Sequence, residues 1–242
     1  MPHRIFSVEE AAEYLHLTAA DVQQRVKDKE IPFEKRGDRV VFWKKDIDMW
    51  ASQRILGFSE HKLVEYHHKS TRGTRELLPE GAILPDLLEH GAVDSAMKAK
   101  TKASVLRELV GLAEKTWQVS DARELLSSLE AREQLCSTGV PGGLALPHPR
   151  FQQTYLFESS FIVVGRSIQE IHFGAPDGHP TDLFFLICCK DDRLHLHALA
   201  RLCLMAVKTD VLARLRQAPD AGAMRDVLFE AEQQVLTDRK QS

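Results

Sequence analysis

The chain has 242 residues, with 32 basic and 35 acidic side chains and a formal net charge of −3. That near-neutral balance excludes a protein devoted along its whole length to nucleic acid, so any DNA contact must sit on a local patch. With 43% hydrophobic and 28% charged residues, the chain has the composition of a water-soluble fold, and it is long enough for a small and a medium domain.

Met1-Pro2-His3-Arg4 leads into a mixed polar and apolar segment without the pattern of a signal peptide. The longest apolar run, Leu183 to Cys189, is only strand-sized, so no membrane insertion is expected. Cys136, Cys188, Cys189 and Cys203 form no CxxC pair and read as reduced thiols in a cytoplasmic protein.

Residues 1–55 read as one compact unit. Ser7-Val8-Glu9-Glu10 is a capping box that starts a helix. Leu17-Thr18 forms a short turn, with Thr18 as the next cap and Asp21 in its box position. Val22 and Val26, four apart, give the second helix a buried stripe. Ile31 to Phe42 reads as strand, turn, strand, with Gly37-Asp38 at the turn and basic residues around its tip. Lys44, Lys45, Asp46 and Ile47 open a third helix, with Asp46 as the expected cap. Helix-turn-helix followed by a basic hairpin is a winged-helix order. Over Ser7 to Trp50 it resembles the excisionase-like and MerR-like DNA-binding family. The candidate DNA-contacting residues are Gln23, Gln24 and Lys27 on the second helix and Lys35, Arg36 and Arg39 on the wing. Glutamine can read adenine edges, whereas lysine and arginine meet phosphate. Thr18-Ala19-Ala20 stands where related proteins often carry arginine, and Glu9, Glu10, Glu13, Asp28 and Glu34 nearly cancel the local positive charge.

Residues 56–77 are polar and without a clear period, and are expected to be a linker in which His67 and His68 are solvated. From Leu78 to residue 238 the pattern alternates. Ala103 to Leu112 and Asp121 to Arg132 have helical spacing, Tyr155 to Val164 and Leu183 to Cys189 are strand candidates, and His195 to Val207 and Met224 to Gln234 are helical again. The fold expected is α/β: a small N-terminal winged helix-turn-helix and a C-terminal α/β sandwich with a mixed sheet flanked by helices.

Gly142-Gly143-Leu144-Ala145-Leu146-Pro147-His148-Pro149-Arg150 places a histidine between two prolines behind a glycine-rich run. A stiff loop of this kind can hold an imidazole still beside a partner, and it can equally be an ordinary turn. Ser137 to His148, Phe173 to Leu186 and His195 to Ala200, taken together and in this order, resemble the IIA domain of the phosphoenolpyruvate-dependent phosphotransferase system. The resemblance is to the fructose/mannitol type, including its nitrogen-regulatory branch, and covers roughly Leu78 to Glu232. It implies that His148 is the phosphorylated histidine, His195 the second active-site histidine and Arg132 the arginine near the phosphoryl group. It also implies an HPr-like phosphocarrier as donor, with no metal and no cofactor. A neutral imidazole nitrogen is a competent nucleophile, and phosphoryl transfer rests mainly on positioning and charge stabilisation.

His197 reads as structural, and it shares a face with His195 in a strand but not in a helix. Asp177 and Asp182 read as turn-shaping, and Arg150 as either a phosphoryl contact or a surface residue. Pro141 and Cys136 stand where the resemblance has glycine, and Pro149 where a small residue is usual, withdrawing a backbone N–H. The function expected is a phosphoryl-carrying regulator, rather than a turnover enzyme, whose DNA-binding module dimerises for affinity. The alternatives are a retired IIA fold that acts on a regulatory target by contact, and a component that feeds a separate sugar-specific IIB protein.

Overall fold

The computed structural model describes residues 5–74, 81–149 and 154–238. The N-terminal unit begins with strand β1 (Ile5–Phe6), α1 (Val8–Tyr14) and α2 (Ala19–Lys27). Ser7 and Thr18 cap the two helices, and both close reciprocal capping boxes, with Glu10 and Asp21. The wing is β2 (Glu34–Arg36) and β3 (Arg39–Trp43), antiparallel, with β1 on the other side of β3. Gly37 at the turn has φ +61°, which glycine adopts without strain. The third helix, α3 (Lys44–Leu56), is capped by Trp43 with no side-chain bond. Asp46 therefore lies in the first turn, where a carboxylate favours the helix dipole, and is not the cap.

Residues expected as a linker are instead largely helical. α4 (Glu60–Thr74) packs along α8 (Asp192–Lys208), burying Leu63, Tyr66, His67, Ser70 and Thr71. The reason is polar pairing. Arg201 Nε donates to His67 Nε2 at 2.6 Å, Ser70 Oγ lies 2.8 Å from His197 Nδ1, and buried Arg201 is ion-paired to buried Glu232. A helix whose buried face is held by such a network shows no clear apolar period in sequence.

The C-terminal unit adds α5 (Leu84–Glu89), β4 (Ala92–Met97), α6 (Lys102–Glu114), α7 (Ala122–Leu135), β5 (Gly139–Val140), β6 (Leu144–Ala145), β7 (Phe161–Ile171) and β8 (Thr181–Cys188). After α8 come α9 (Val211–Gln217) and α10 (Ala221–Asp238). The sheet order is β4-β7-β8-β6-β5. β7 runs antiparallel to β8, while β4 on β7 and β6 on β8 are parallel, so the sheet is mixed. The Tyr155 to Val164 strand is displaced, because residues 154–156 form a 3-10 turn and β7 starts at Phe161.

Period two sorts the two cores. Phe161, Val163, Phe184 and Leu186 face α6 and α7. Ile162, Val164, Phe185 and Ile187 join a second cluster that includes α8, α10 and the N-terminal unit. Because both faces of β7 and β8 are covered, these strands read as continuous apolar runs. The four cysteines are free, with Cys188, Cys189 and Cys203 buried.

Candidate functional site

The glycine-rich loop is held from both sides. Gly142 and Gly143 have φ +90° and +78°, the Asp177 carboxylate accepts from Gly142 N–H at 3.1 Å, and Arg216 ties the Gly142 carbonyl to Asp182. Asp177, which also accepts from His179 N–H at 3.1 Å, shapes the turn before β8 as expected, whereas Asp182 lies within β8 and holds the glycine loop through Arg216. β6 then pairs with β8, and Ile187 N–H donates to the Pro147 carbonyl at 2.9 Å. These bonds fix the backbone on which His148 sits.

His148 is 2% exposed, Arg132 1% and His195 3%. The two imidazole centroids are 5.0 Å apart. Arg132, in the last turn of α7, donates from Nε to His148 Nε2 at 3.0 Å and from Nη1 to the Cys136 carbonyl at 2.9 Å. Neighbouring Glu133 accepts from Thr138 N–H and Oγ1 and pairs with Lys102, pinning the turn between α7 and β5. His195 is in the first turn of α8, whose cap is Asp191.

Hydrogen-bond chemistry fixes the His148 tautomer. His148 Nδ1 lies 2.8 Å from the Leu146 carbonyl, which can only accept, so Nδ1 carries the proton. The Arg132 Nε–H can only donate, so Nε2 presents its lone pair. Burial, followed by the Arg132 charge and His195, holds the His148 pKa well below its ordinary value. Burial, Arg132 and Lys44 lower His195 to about 3. Both rings are neutral near pH 7. Among the described residues, Arg132 Nη2 and His195 Nδ1 are buried without a hydrogen-bond partner. An orphaned buried donor costs about 1–3 kcal/mol, so these atoms mark a place prepared for something that satisfies them.

The cleft is lined by Arg132, His148, Pro149 and His195, and also by Asp48, Met49 and Ser52 of α3. Sequence reasoning missed these last three. Asp48 and Ser52, four apart on the buried side of α3, are a polar stripe among Ile47, Ala51 and Ile55 that could have signalled them.

His197 is on another side of α8, stacked on His67 with centroids 5.1 Å apart, so it does not join His148 and His195. Gln23, Gln24 and Lys27 are exposed on α2, and Lys35, Arg36 and Arg39 on the wing. Gln24 is bonded to Asp28 at 2.9 Å, and Arg36 lies over the Trp43 ring at 5.2 Å. Arg150 lies outside the described residues.

Residues 86–231 match the family described as phosphoenolpyruvate-dependent sugar phosphotransferase system, EIIA 2. The chain belongs to that family. Residues 5–64 match a helix-turn-helix domain, so an EIIA domain is joined here to a helix-turn-helix module. The EIIA domain is 34% identical over 148 residues to a nitrogen regulatory protein of Bradyrhizobium diazoefficiens, covering 60% of this chain and 94% of that protein. It is 26% identical over 147 residues, 60% of this chain, to the PTS system fructose-specific EIIABC component of Bacillus subtilis, but spans only 23% of that protein. Its fold is also that of the nitrogen regulatory protein IIA-Ntr from Neisseria meningitidis, with a TM-score of 0.51, 24% identity and coverage of 61% of this chain and 99% of that one. No helix among the described residues is long and apolar enough to cross a membrane.

Proposed function

We propose that this protein accepts a phosphoryl group on His148 Nε2 from an HPr-like phosphocarrier and serves as a regulator that acts through its winged helix on DNA. The observation that carries the first part is the trio itself: a neutral imidazole with Nε2 as its lone-pair nitrogen, bonded to Arg132, with two orphaned buried polar atoms, Arg132 Nη2 and His195 Nδ1, beside it among the described residues.

In the transfer, the Nε2 lone pair attacks phosphorus in line as the P–N bond of the donor phosphohistidine breaks. The bonding pair returns to the donor ring, and each ring keeps its other N–H, so no proton need leave the site. Arg132 gives up its bond to Nε2 and, with Nη2, meets the phosphoryl oxygens. His195 Nδ1, when it carries the ring proton, donates to another. Such charge-assisted bonds are the main catalytic resource in phosphoryl transfer.

The nitrogen regulatory relative and the joined helix-turn-helix support regulation over sugar transport. The exposed Gln23, Gln24, Lys27, Lys35, Arg36 and Arg39 form the surface offered to DNA, and a second copy would supply the second half-site.

The test is incubation with phosphoenolpyruvate, the first enzyme of the phosphotransferase system and an HPr-like carrier. Wild type is expected to take up an acid-labile label that His148→Ala does not. An unlabelled wild type in the presence of a competent donor refutes the acceptor role and leaves a binding module.

A further inference from the structure

The N-terminal module does not stand apart from the His148 site. α3 lies across it, with Asp48, Met49 and Ser52 completing the wall of the cleft that holds Arg132, His148 and His195. Lys44 at the start of α3 bridges Asp48 at 2.9 Å and Asp192 of α8 at 2.8 Å. Gln53, near its other end, donates to Cys136 Sγ at 3.2 Å, beside the Arg132 contact to the same residue. Tyr14 of α1 is bonded to Asp48, which ties the rest of the module to this helix.

The cleft leaves room for water of only about 10 Å³. That is roughly the room of one water molecule. A phosphoryl group brings three oxygens and about two negative charges, and here it would face the Asp48 carboxyl across that space. A protein donor needs more, because its own phosphoimidazole must reach Nε2 in line. Neither is compatible with α3 in place.

We infer that the winged-helix module is a lid on the His148 site, and that α3 must lift from the α7–β5 turn and the start of α8 before a protein donor can reach Nε2. The lift breaks the polar contacts of Lys44 and Gln53 and also the apolar packing that joins α3 to α8 in one core cluster. α4 stays on α8 through His67–Arg201 and Ser70–His197 and tethers the released module. The exposed faces of α2 and the wing are uncovered whether the lid is closed or open, so lifting changes their position and freedom rather than their exposure. The phosphoryl state of His148 and the placement of the helix-turn-helix are thereby one equilibrium, in which a phosphorylated site disfavours the closed form. The consequence for transfer rests on the acceptor role proposed above, whereas the shielding of His148 does not.

The experiment measures carbethoxylation of His148 by diethylpyrocarbonate in the full-length protein near pH 7. His148 is the only histidine between Arg132 and Arg150, so its tryptic peptide reports on it alone. Because the ring is neutral at that pH, its rate reads access. In wild type, His148 is expected to react at least about tenfold more slowly than exposed His172 and His179. Lys44→Glu sets a third carboxylate against Asp48 and Asp192 and is expected to raise the His148 rate about tenfold. Lys44→Glu/Asp192→Lys, which reverses the pair, is expected to restore protection. If Lys44→Glu does not fold by circular dichroism, Asp192→Lys, which opposes two cations, carries the same test.

With an HPr-like donor, the opened variant is also expected to accept phosphoryl groups about tenfold faster than wild type. Fast reaction of His148 in wild type overturns the lid, as does unchanged protection in a folded opened variant. Protection that opens as expected, in proteins that never take up phosphoryl groups, upholds the lid and refutes the acceptor role.

Discussion

Two arginines in this fold have nearly the same burial and opposite surroundings, and exchanging each for methionine separates function from stability. Arg132 and Arg201 are 1% and 0% exposed. Arg201 is ion-paired to Glu232, bonded to His67 at 2.6 Å and to the Gly81 carbonyl at 3.1 Å. Arg132 has no carboxylate partner among the described residues, donates to His148 and Cys136, and leaves Nη2 orphaned. Arg201→Met strands a buried carboxylate and is expected to cost about 3–5 kcal/mol. Arg132→Met loses three hydrogen bonds, to His148 Nε2 and to the Cys136 carbonyl and sulfur, each worth about 1 kcal/mol or less, but relieves a desolvated charge and an orphan worth about 1–3 kcal/mol. Its stability should therefore remain within about 1 kcal/mol of wild type, while phosphoryl acceptance falls by about 10²–10³ as one stabilising donor is removed. Urea unfolding monitored by circular dichroism gives the first quantity, and the initial rate of label uptake gives the second. If Arg132→Met is destabilised as severely as Arg201→Met, Arg132 is a structural residue and the reasoning fails.

Three further outcomes follow from the same geometry. Since the folded state holds His148 well below the ordinary histidine pKa, unfolded chains take up its proton first, and this contribution to stability is lost as pH falls below about 6.5. His148→Gln should accordingly lose less stability than wild type between about pH 8 and pH 5.5, and equal losses in urea titrations would contradict the assignment. Gly143→Ala forces a side chain into φ +78° with its Cβ 2.5 Å from Arg216 Nη2. A cost of about 1–3 kcal/mol is expected, with slower label uptake, and an unchanged thermal midpoint would mean that the loop yields. If the wing meets the DNA backbone, Lys35→Ala/Arg36→Ala should flatten the slope of log affinity against log salt by roughly 2. An unchanged slope in a fluorescence-anisotropy titration would place DNA elsewhere or nowhere.

Local signals in the sequence were read correctly where the physics is local. The Ser7–Glu10 and Thr18–Asp21 boxes are each complete within a few residues, and each starts the helix it promised. Asp46 misled because a cap and a first-turn carboxylate look alike in sequence. The two-residue strands β5 and β6 exist only because they pair with each other and with β8, information held some forty residues away. α4 was unreadable as a helix because His67 and Ser70 are paired with partners on α8, and Thr71 with the His67 carbonyl of its own helix, rather than buried by being apolar. His148, His195 and Arg132 were legible as a set only through the family resemblance. Their spacing alone left a loop histidine and a helical one unrelated. The α3 wall, contributed by a different domain, had no local signature beyond a polar stripe.

The departures from the family pattern acquire a physical setting once α3 is in view. Glycine at position 136 would offer no sulfur, whereas Cys136 receives both Gln53 of α3 and Arg132 of the site. Pro149 lines the same cleft as Met49 and Ser52, where a ring without an N–H leaves no orphaned donor against the covering helix. Nothing in the structure explains Pro141, which is exposed in the turn. Two of the three substitutions that could be taken as decay of a phosphoryl site thus lie at its contact with the helix-turn-helix module. On the lid proposed above, an EIIA domain that is covered by its attached module needs surfaces that fit that module. A cysteine that bridges Arg132 to α3 and a proline that seals the cleft are residues of such surfaces. They accord with that lid and with a buried imidazole held neutral and oriented beneath α3.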